Sequence, residues 1–433
     1  MQFVSTRGPQ AGIGFSGALI QGLAEDGGLY VPAQWPTYVP AMLAAPDNAA
    51  TLSDLAGALL APFMAGDALE SEREHIVSEA FNFPAPQHWL DPAQRLGVLE
   101  LFHGPTAAFK DFGARFLAAA FTRLRRRASR PLKVLVATSG DTGGAVAAAF
   151  HRQPGIEVLV LYPKGLVSPT QEQQLTCWGD NVRSFAVRGR FDDCQRLVKQ
   201  AFADPALRHH FDLTSANSIN LGRLLPQTVY YWAASLRVLE AHGEPASFVI
   251  PSGNLGNATA CVWARKLGAP IAAIVLAHNA NRTVPDYLRQ GTLRARASVA
   301  TLSSAMDVGD PSNLERLSAL YPDVAALRVA VSAVSIDDEA TRARIRTDFA
   351  HYHRIWCPHT AVAAEAYARL PPAMRSNGRW LLVATAHPAK FREIVAPLIG
   401  EGVPMPENLA RLFERPSSST EIEANIEALR RAL

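Results

Sequence analysis

Leu132-Lys133-Val134-Leu135-Val136-Ala137 runs straight into Thr138-Ser139-Gly140-Asp141-Thr142-Gly143-Gly144, and the alanine-rich segment Ala145 to Phe150 follows. The first run is apolar on both faces, as a strand covered by helices from both sides must be. The glycine-rich stretch can only turn, and the alanines favour a helix. Strand, tight turn and helix together are the repeating unit of a parallel α/β sheet. Working outward, the unit recurs: EVLVLYP before SPTQEQQLTCWG, VRSFAV before FDDCQRLVKQAF, and SFVIP before ATACVWARKL. LGVLELF precedes AAFKDFGARFLAAAFTRLRRR, while AAIVLA and WLLVAT supply further strands. The expected fold class is α/β with parallel sheets, and ligands in such folds collect in loops at the carboxyl ends of the strands.

Upstream of about residue 95 the pattern changes. Leu52 to Phe63 and Leu69 to Phe81 place apolar residues at helical spacing in a proline-dotted stretch. We expect an N-terminal domain over 1–95 and a catalytic region over 96–400, with a small αβα subdomain at roughly 130–230 and the remainder forming a large domain. A C-terminal helical extension is expected over 401–433, in which SSSTE (417–421) acts as a spacer before the last helix.

With a net charge of +3 and 19% charged residues, the chain lacks the basic surface that nucleic acid or a membrane surface would require. No signal-like segment or membrane-length apolar run is evident, so a cytoplasmic location is expected. Cys177, Cys194, Cys261 and Cys357 are scattered, without zinc-type or disulfide-type spacing, and read as buried reduced thiols. Arg123, Arg125, Arg126 and Arg127 suit the negative end of a helix dipole. Only six of the 42 basic residues are lysines. An amine able to form a covalent carbonyl adduct must be one of these six.

One of them, Lys110, lies in Phe102-His103-Gly104-Pro105-Thr106-Ala107-Ala108-Phe109-Lys110-Asp111-Phe112-Gly113. Two readings stand: an aromatic-flanked, desolvated nucleophile, or a snorkelling lysine paired with Asp111. The turn at Ser139 to Gly144 presents hydroxyls and free amides at a helix start, which suits an anion, or else is an ordinary turn capped by Ser139 or Asp141. Pro251-Ser252-Gly253-Asn254-Leu255-Gly256-Asn257 repeats that geometry, and its glycines allow amides to curl into a nest around a phosphate. In Ser215-Ala216-Asn217-Ser218-Ile219-Asn220-Leu221-Gly222-Arg223, Arg223 is either an anion fork or a surface residue behind a capped helix. Ala384-Thr385-Ala386-His387-Pro388-Ala389-Lys390-Phe391 follows the strand WLLVA.

Taken in order, these segments resemble the threonine synthases, together with STRG, GLAEDGGLYVP, SAMDVGDPSN and PHTAVA. That resemblance implies pyridoxal-phosphate fold type II: two parallel-sheet αβα domains with an added N-terminal domain. It also implies pyridoxal 5'-phosphate as cofactor and O-phospho-L-homoserine as small-molecule substrate, with threonine and phosphate as products of γ-elimination and β-hydration. By position, Lys110 matches the lysine that binds the cofactor covalently. Gly253, Asn254, Leu255, Gly256 and Asn257 match the loop for its phosphate, and Thr385 matches the partner of its ring nitrogen. Ser139, Thr142, Asn217, Ser218 and Arg223 match the substrate-phosphate residues.

Two departures from the family pattern are Ala107, where leucine is usual, and Leu255, where phenylalanine is usual. Asp141 stands where wider relatives place asparagine, and its role is left open. The competing readings are a phospho-lyase releasing 2-oxobutanoate from the same substrate, and a silent binding protein on the same fold. No metal is expected, and the assembly is expected to be a monomer or homodimer.

Overall fold

The computed structural model describes residues 1–8, 11–43, 51–91 and 95–433; residues 92–94, next to the expected domain junction, lie outside the described residues. In chain order the strands are β1 (Phe3–Ser5), β2 (Tyr30–Pro32), β3 (Gln87–Asp91), β4 (Leu96–Glu100), β5 (Leu132–Ala137), β6 (Ile156–Pro163), β7 (Val182–Arg188), β8 (Asp212–Ser215), β9 (Ala246–Pro251), β10 (Ile271–His278), β11 (Ser332–Ser335), β12 (Arg379–Ala384) and β13 (Thr420–Glu423). They form a six-stranded sheet in the order β11-β10-β9-β12-β4-β3, a five-stranded sheet in the order β13-β7-β6-β5-β8, and the β1-β2 pair. Every pairing in the two larger sheets is parallel except β3 with β4. All six residues of LKVLVA are buried, including Lys133, whose Nζ escapes the apolar layer by reaching Glu157 at 2.6 Å and the carbonyl of Leu433 at 3.2 Å.

The N-terminal segment carries β1, β2 and the helices Leu52–Met64 and Arg73–Ala80. It docks on the helix Lys110–Arg125 through tilted and edge-on ring contacts: Phe3 lies 5.6 Å from Phe15, and Phe15 lies 6.3 Å from Phe116. The arginine run ends that helix as expected, and carboxylates satisfy most of it. Arg123 bonds Glu72 and Glu79 at 2.8 and 2.7 Å, Arg126 bonds Glu72 at 2.7 Å, and Arg125 bonds Asp212 at 2.5 Å.

The C-terminal stretch differs from the sequence reading. SSSTE does not act as a spacer: its last residues open β13, which pairs parallel with β7 from Thr420↔Phe185 to Glu423↔Arg188. The strand was invisible in sequence because it is a sheet edge burying a single apolar residue, Ile422, while Thr420, Glu421 and Glu423 face solvent. Arg188 and Lys164 hold Glu421, so ion pairs supplement a thin apolar contact. The four cysteines are free and buried. Among the described residues no helix is long and apolar enough to cross a membrane, and no cluster of residues could hold a metal ion.

Candidate active site

One pocket opens where loops at the carboxyl ends of both large sheets meet, and all twelve residues singled out in the sequence line it. Its floor is set by backbone hydrogen bonds between two segments distant in sequence. Phe109 N donates to Thr385 O at 2.9 Å, and His387 N donates to Ala107 O at 3.0 Å. This zipper places Lys110, first residue of its helix, and Thr385 in fixed relation. The turn demands φ = +52° at Ala107, where an alanine side chain is less strained than the bulkier residue usual in the family.

Asp111 does not pair with Lys110. Its carboxylate accepts from Thr106 N at 2.8 Å and Thr106 Oγ1 at 2.5 Å, closing the turn before the helix. Gly113 follows because its helix presses against the next site segment: a Cβ there would overlap the carbonyl of Arg223. Lys110 Nζ has no hydrogen-bond or ion-pair partner among the described residues, only the Phe109 ring at 5.7 Å. Desolvation pulls its pKa down to about 8; Asp141 acts in the opposite sense, and Arg223 and Lys390 add to the lowering.

The loop after β9 is built to meet an anion. Leu255 adopts φ = +62° immediately before the helix Gly256–Lys266, which has no side-chain cap. Among the described residues, none of the N–H groups from Gly253 to Asn257 has an acceptor. Asn257 Oδ1 accepts from the hydroxyls of Tyr230 and Tyr231 at 2.6 and 2.9 Å, while its buried Nδ2 is unsatisfied. Gly253 is obligatory because a Cβ there would lie 2.7 Å from Met306 Cα.

Across from this nest stands Arg223, 2% exposed, with one N–H on the Ala216 carbonyl, an unsatisfied Nε and, among the described residues, no carboxylate partner. Burial lowers its pKa to about 10, with Asp111 opposing. A buried guanidinium without an anion is costly, so the site is poised to gain from one. Asn217 is partly committed elsewhere, since its Nδ2 donates to Ala137 O at 2.8 Å. Ser218 Oγ accepts from Asn254 Nδ2 at 2.7 Å and Asn313 Nδ2 at 3.2 Å, leaving its own proton free to donate. Among the described residues, the hydroxyls of Ser139 and Thr142 have no partner. The helix Asp141–Phe150 starts within the Ser139–Gly144 segment, and neither Ser139 nor Asp141 caps it; Thr138 Oγ1 accepts instead from Gly140 N at 3.0 Å and Gly143 N at 2.8 Å.

Sequence reasoning passed over several residues that shape the pocket. Asp141, left without a role, forms a buried ion pair with Lys390 at 2.9 Å. His359, in PHTAVA, accepts from Ala305 N at 3.2 Å through Nε2, which leaves the proton on an unsatisfied Nδ1. Its pKa is lowered to about 4 by burial, with Asp141 opposing. Ala305 belongs to SAMDVGDPSN, as does Asn313. Both motifs read as family segments in the sequence, yet nothing in their local pattern marks these side chains.

The family described as pyridoxal-phosphate dependent enzyme matches residues 91–386, and the threonine synthase N-terminal and C-terminal families match 2–81 and 360–433. The threonine synthase of Escherichia coli K12 is 38% identical over 97% of this chain and 96% of its own length. The chain belongs to the threonine synthase family. The Haemophilus influenzae threonine synthase is likewise 38% identical, over 99% of both chains. In three dimensions the crystal structure of E. coli threonine synthase superposes with a TM-score of 0.91 at 36% identity, covering 100% of this chain and 99% of that one. The pyridoxal-phosphate-bound threonine synthase of Brucella melitensis gives 0.90 at 33%, covering 100% and 98%.

Pyridoxal 5'-phosphate is accordingly the cofactor of this threonine synthase family member, and the pocket fits it. The unpartnered Lys110 amine, the unengaged amides from Gly253 to Asn257, the orphan Asn257 Nδ2 and the Thr385 hydroxyl are the donor set that an aldehyde, a phosphate and a ring nitrogen require. The fold expectation holds: a helical N-terminal segment precedes two parallel αβα layers.

Proposed function

We propose that this pocket converts O-phospho-L-homoserine and water into L-threonine and inorganic phosphate, with Lys110, Thr385 and the Gly253–Asn257 loop holding the cofactor. The observation that carries the reading is the pairing, in one pocket, of the amide nest with a separately buried Arg223 that has no carboxylate partner. Two anion-seeking sets suit two phosphates, one on the cofactor and one on the substrate.

When bound, the cofactor supplies an electron sink for negative charge developing at substrate Cα. Lys110, released from the cofactor when substrate takes its place, is then an amine poised near pH 8, suited to take the Cα proton and return protons later. Thr385 offers a neutral hydroxyl to the ring nitrogen, so no carboxylate fixes a proton there. Ser139, Thr142, Asn217, Ser218 and Arg223 hold the phosphate that leaves from Cγ. Of these, Arg223 contributes charge, Ser218 its free proton, and Asn217 chiefly the position of the loop, because its amide is spent on Ala137. Phosphate retained there stands next to Cβ, where it accepts a proton from the water that adds. Four free, buried cysteines accord with a reducing cytoplasm as the location.

The test is stoichiometric. Purified protein given O-phospho-L-homoserine should release phosphate and threonine in equal amounts, and Lys110→Ala should abolish both the visible cofactor band and the products. Phosphate accompanied by 2-oxobutanoate in place of threonine would convert the assignment to the phospho-lyase.

A further inference from the structure

Among the described residues that line the pocket there is one carboxylate, Asp141, and two lysines stand within its electrostatic reach. Lys110 belongs to the pocket wall, whereas Lys390 lies behind it, fully buried after β12. Lys390 takes the carboxylate: its Nζ sits 2.9 Å from Asp141 Oδ1 and donates to Thr106 O at 2.8 Å. Gln171 Nε2 donates to the same Oδ1 at 3.0 Å. The Lys390 carbonyl in turn accepts from Ser168 Oγ at 3.0 Å. These bonds fix the pair, and Lys110 is left without a hydrogen-bond or ion-pair partner among the described residues.

On the reading of Lys110 as the cofactor lysine, we propose that Lys390 is a positioning residue that reserves the pocket's carboxylate and so keeps Lys110 out of an ion pair and available as a neutral amine. The chemistry needs this arrangement. To bind the cofactor, Lys110 Nζ attacks the aldehyde carbon with its lone pair, and the carbonyl oxygen leaves as water with the two amine protons. An ammonium held by a carboxylate has no lone pair to offer. The charged and titratable groups facing Lys110 are Asp141, Arg223, Lys390 and His359. Those facing Asp141 are Lys390, Lys110, His359 and the buried thiol of Cys357. With Lys390 neutralised, Lys110 becomes the strongest cation left to Asp141, because burial keeps His359 neutral.

The experiment uses the full-length chain freed of cofactor and follows the rate of covalent pyridoxal-phosphate binding by visible absorbance across pH 6 to 10. Lys390→Met should move the midpoint of the rate profile upward by about one pH unit or more, making binding about tenfold slower at neutral pH. The double variant Asp141→Asn/Lys390→Met should return the midpoint to the starting value or below. Asp141→Asn alone should lower it, which keeps the test decisive if Lys390→Met does not fold with an unpaired buried carboxylate. A midpoint unmoved in Lys390→Met and in Asp141→Asn, with the band still absent from Lys110→Ala, overturns the role of Lys390 while sparing Lys110. A band that persists in Lys110→Ala overturns the reading of Lys110 on which it rests.

Discussion

Replacing Arg223 by methionine should weaken catalysis and strengthen the fold, and the opposite signs make the experiment informative. The guanidinium is 2% exposed, donates to one backbone carbonyl and has no carboxylate partner. Keeping such a cation dry costs several kcal/mol, whereas its loss forfeits about 1 kcal/mol for the Ala216 hydrogen bond and a similar amount for imperfect filling by methionine. The balance predicts that, without phosphate, the variant is more stable by about 1–3 kcal/mol in urea unfolding. With a phosphate bound, the account reverses. One or two charge-assisted hydrogen bonds at about 1.5–3 kcal/mol each are lost, so kcat/KM should fall by about 10²- to 10⁴-fold. Inorganic phosphate should raise the Tm of the parent protein more than that of the variant. A variant that is less stable than its parent, yet stabilised as strongly by phosphate, would refute the argument and make Arg223 a structural residue.

Gly113→Ala should cost about 2–4 kcal/mol in denaturant unfolding and raise KM, because the new methyl drives the helix Lys110–Arg125 off the Arg223 carbonyl; a change under about 0.5 kcal/mol would show that the contact is soft. His353 ends the helix Asp338–Tyr352 at φ = +53° and is exposed, so His353→Gly should stabilise by about 0.5–1 kcal/mol without touching activity. Burial holds His278 down to about 3, and burial, against Asp141, holds His359 at about 4. Below the ordinary histidine value of about 6.5 the unfolded chain binds protons that the folded chain refuses. The stability present above that pH should therefore drain away as pH falls toward 4, by about 1.4 kcal/mol per pH unit for each fully coupled histidine. Urea midpoints at pH 7 and pH 5 measure the slope, which His278→Asn should reduce by about one proton; an unchanged slope would mean that His278 is not the group titrating.

What was legible in the sequence was what lies contiguous in it. LKVLVA, SFVIP and WLLVA announce buried parallel strands because both faces of each are apolar, and the loops after them carry their donors within a few residues. The pocket could thus be assembled from five short segments before any distance was known. What was not legible depends on partners far apart in the chain. Asp141 and Lys390 each looked incidental within its own motif, and only the packing of the turn after β5 against the segment after β12 makes them a pair. Two of the left-handed residues, Ala107 and Leu255, stand where the sequence departs from its family, yet nothing local marks alanine or leucine as a positive-φ residue. β13 was lost for a simpler reason: an edge strand with one inward side chain has no hydrophobic period to detect.

The same reasoning explains why two loops that read as separate anion sites form one unit. Asn254 Nδ2 reaches Ser218 Oγ, and Asn313 Nδ2 bridges Ser218 Oγ and the Asn254 carbonyl, the latter at 3.0 Å. Behind them Arg316, 0% exposed and without a carboxylate, donates to Asn313 Oδ1 at 2.7 Å and to the carbonyls of Ser218, Ile219 and Tyr30 at 3.1, 2.6 and 3.1 Å. Burial pulls its pKa down to about 9, so this cation is kept at a cost. A neutral side chain would avoid that cost but would leave three carbonyls without donors, each at about 1–3 kcal/mol. Arg316 thereby ties β2 of the N-terminal segment to the loop carrying Ser218, and through Asn313 to the Gly253–Asn257 loop. A side chain outside the pocket thus sets the spacing between the two loops, and among the described residues the N-terminal segment supports that geometry without contributing to the pocket wall.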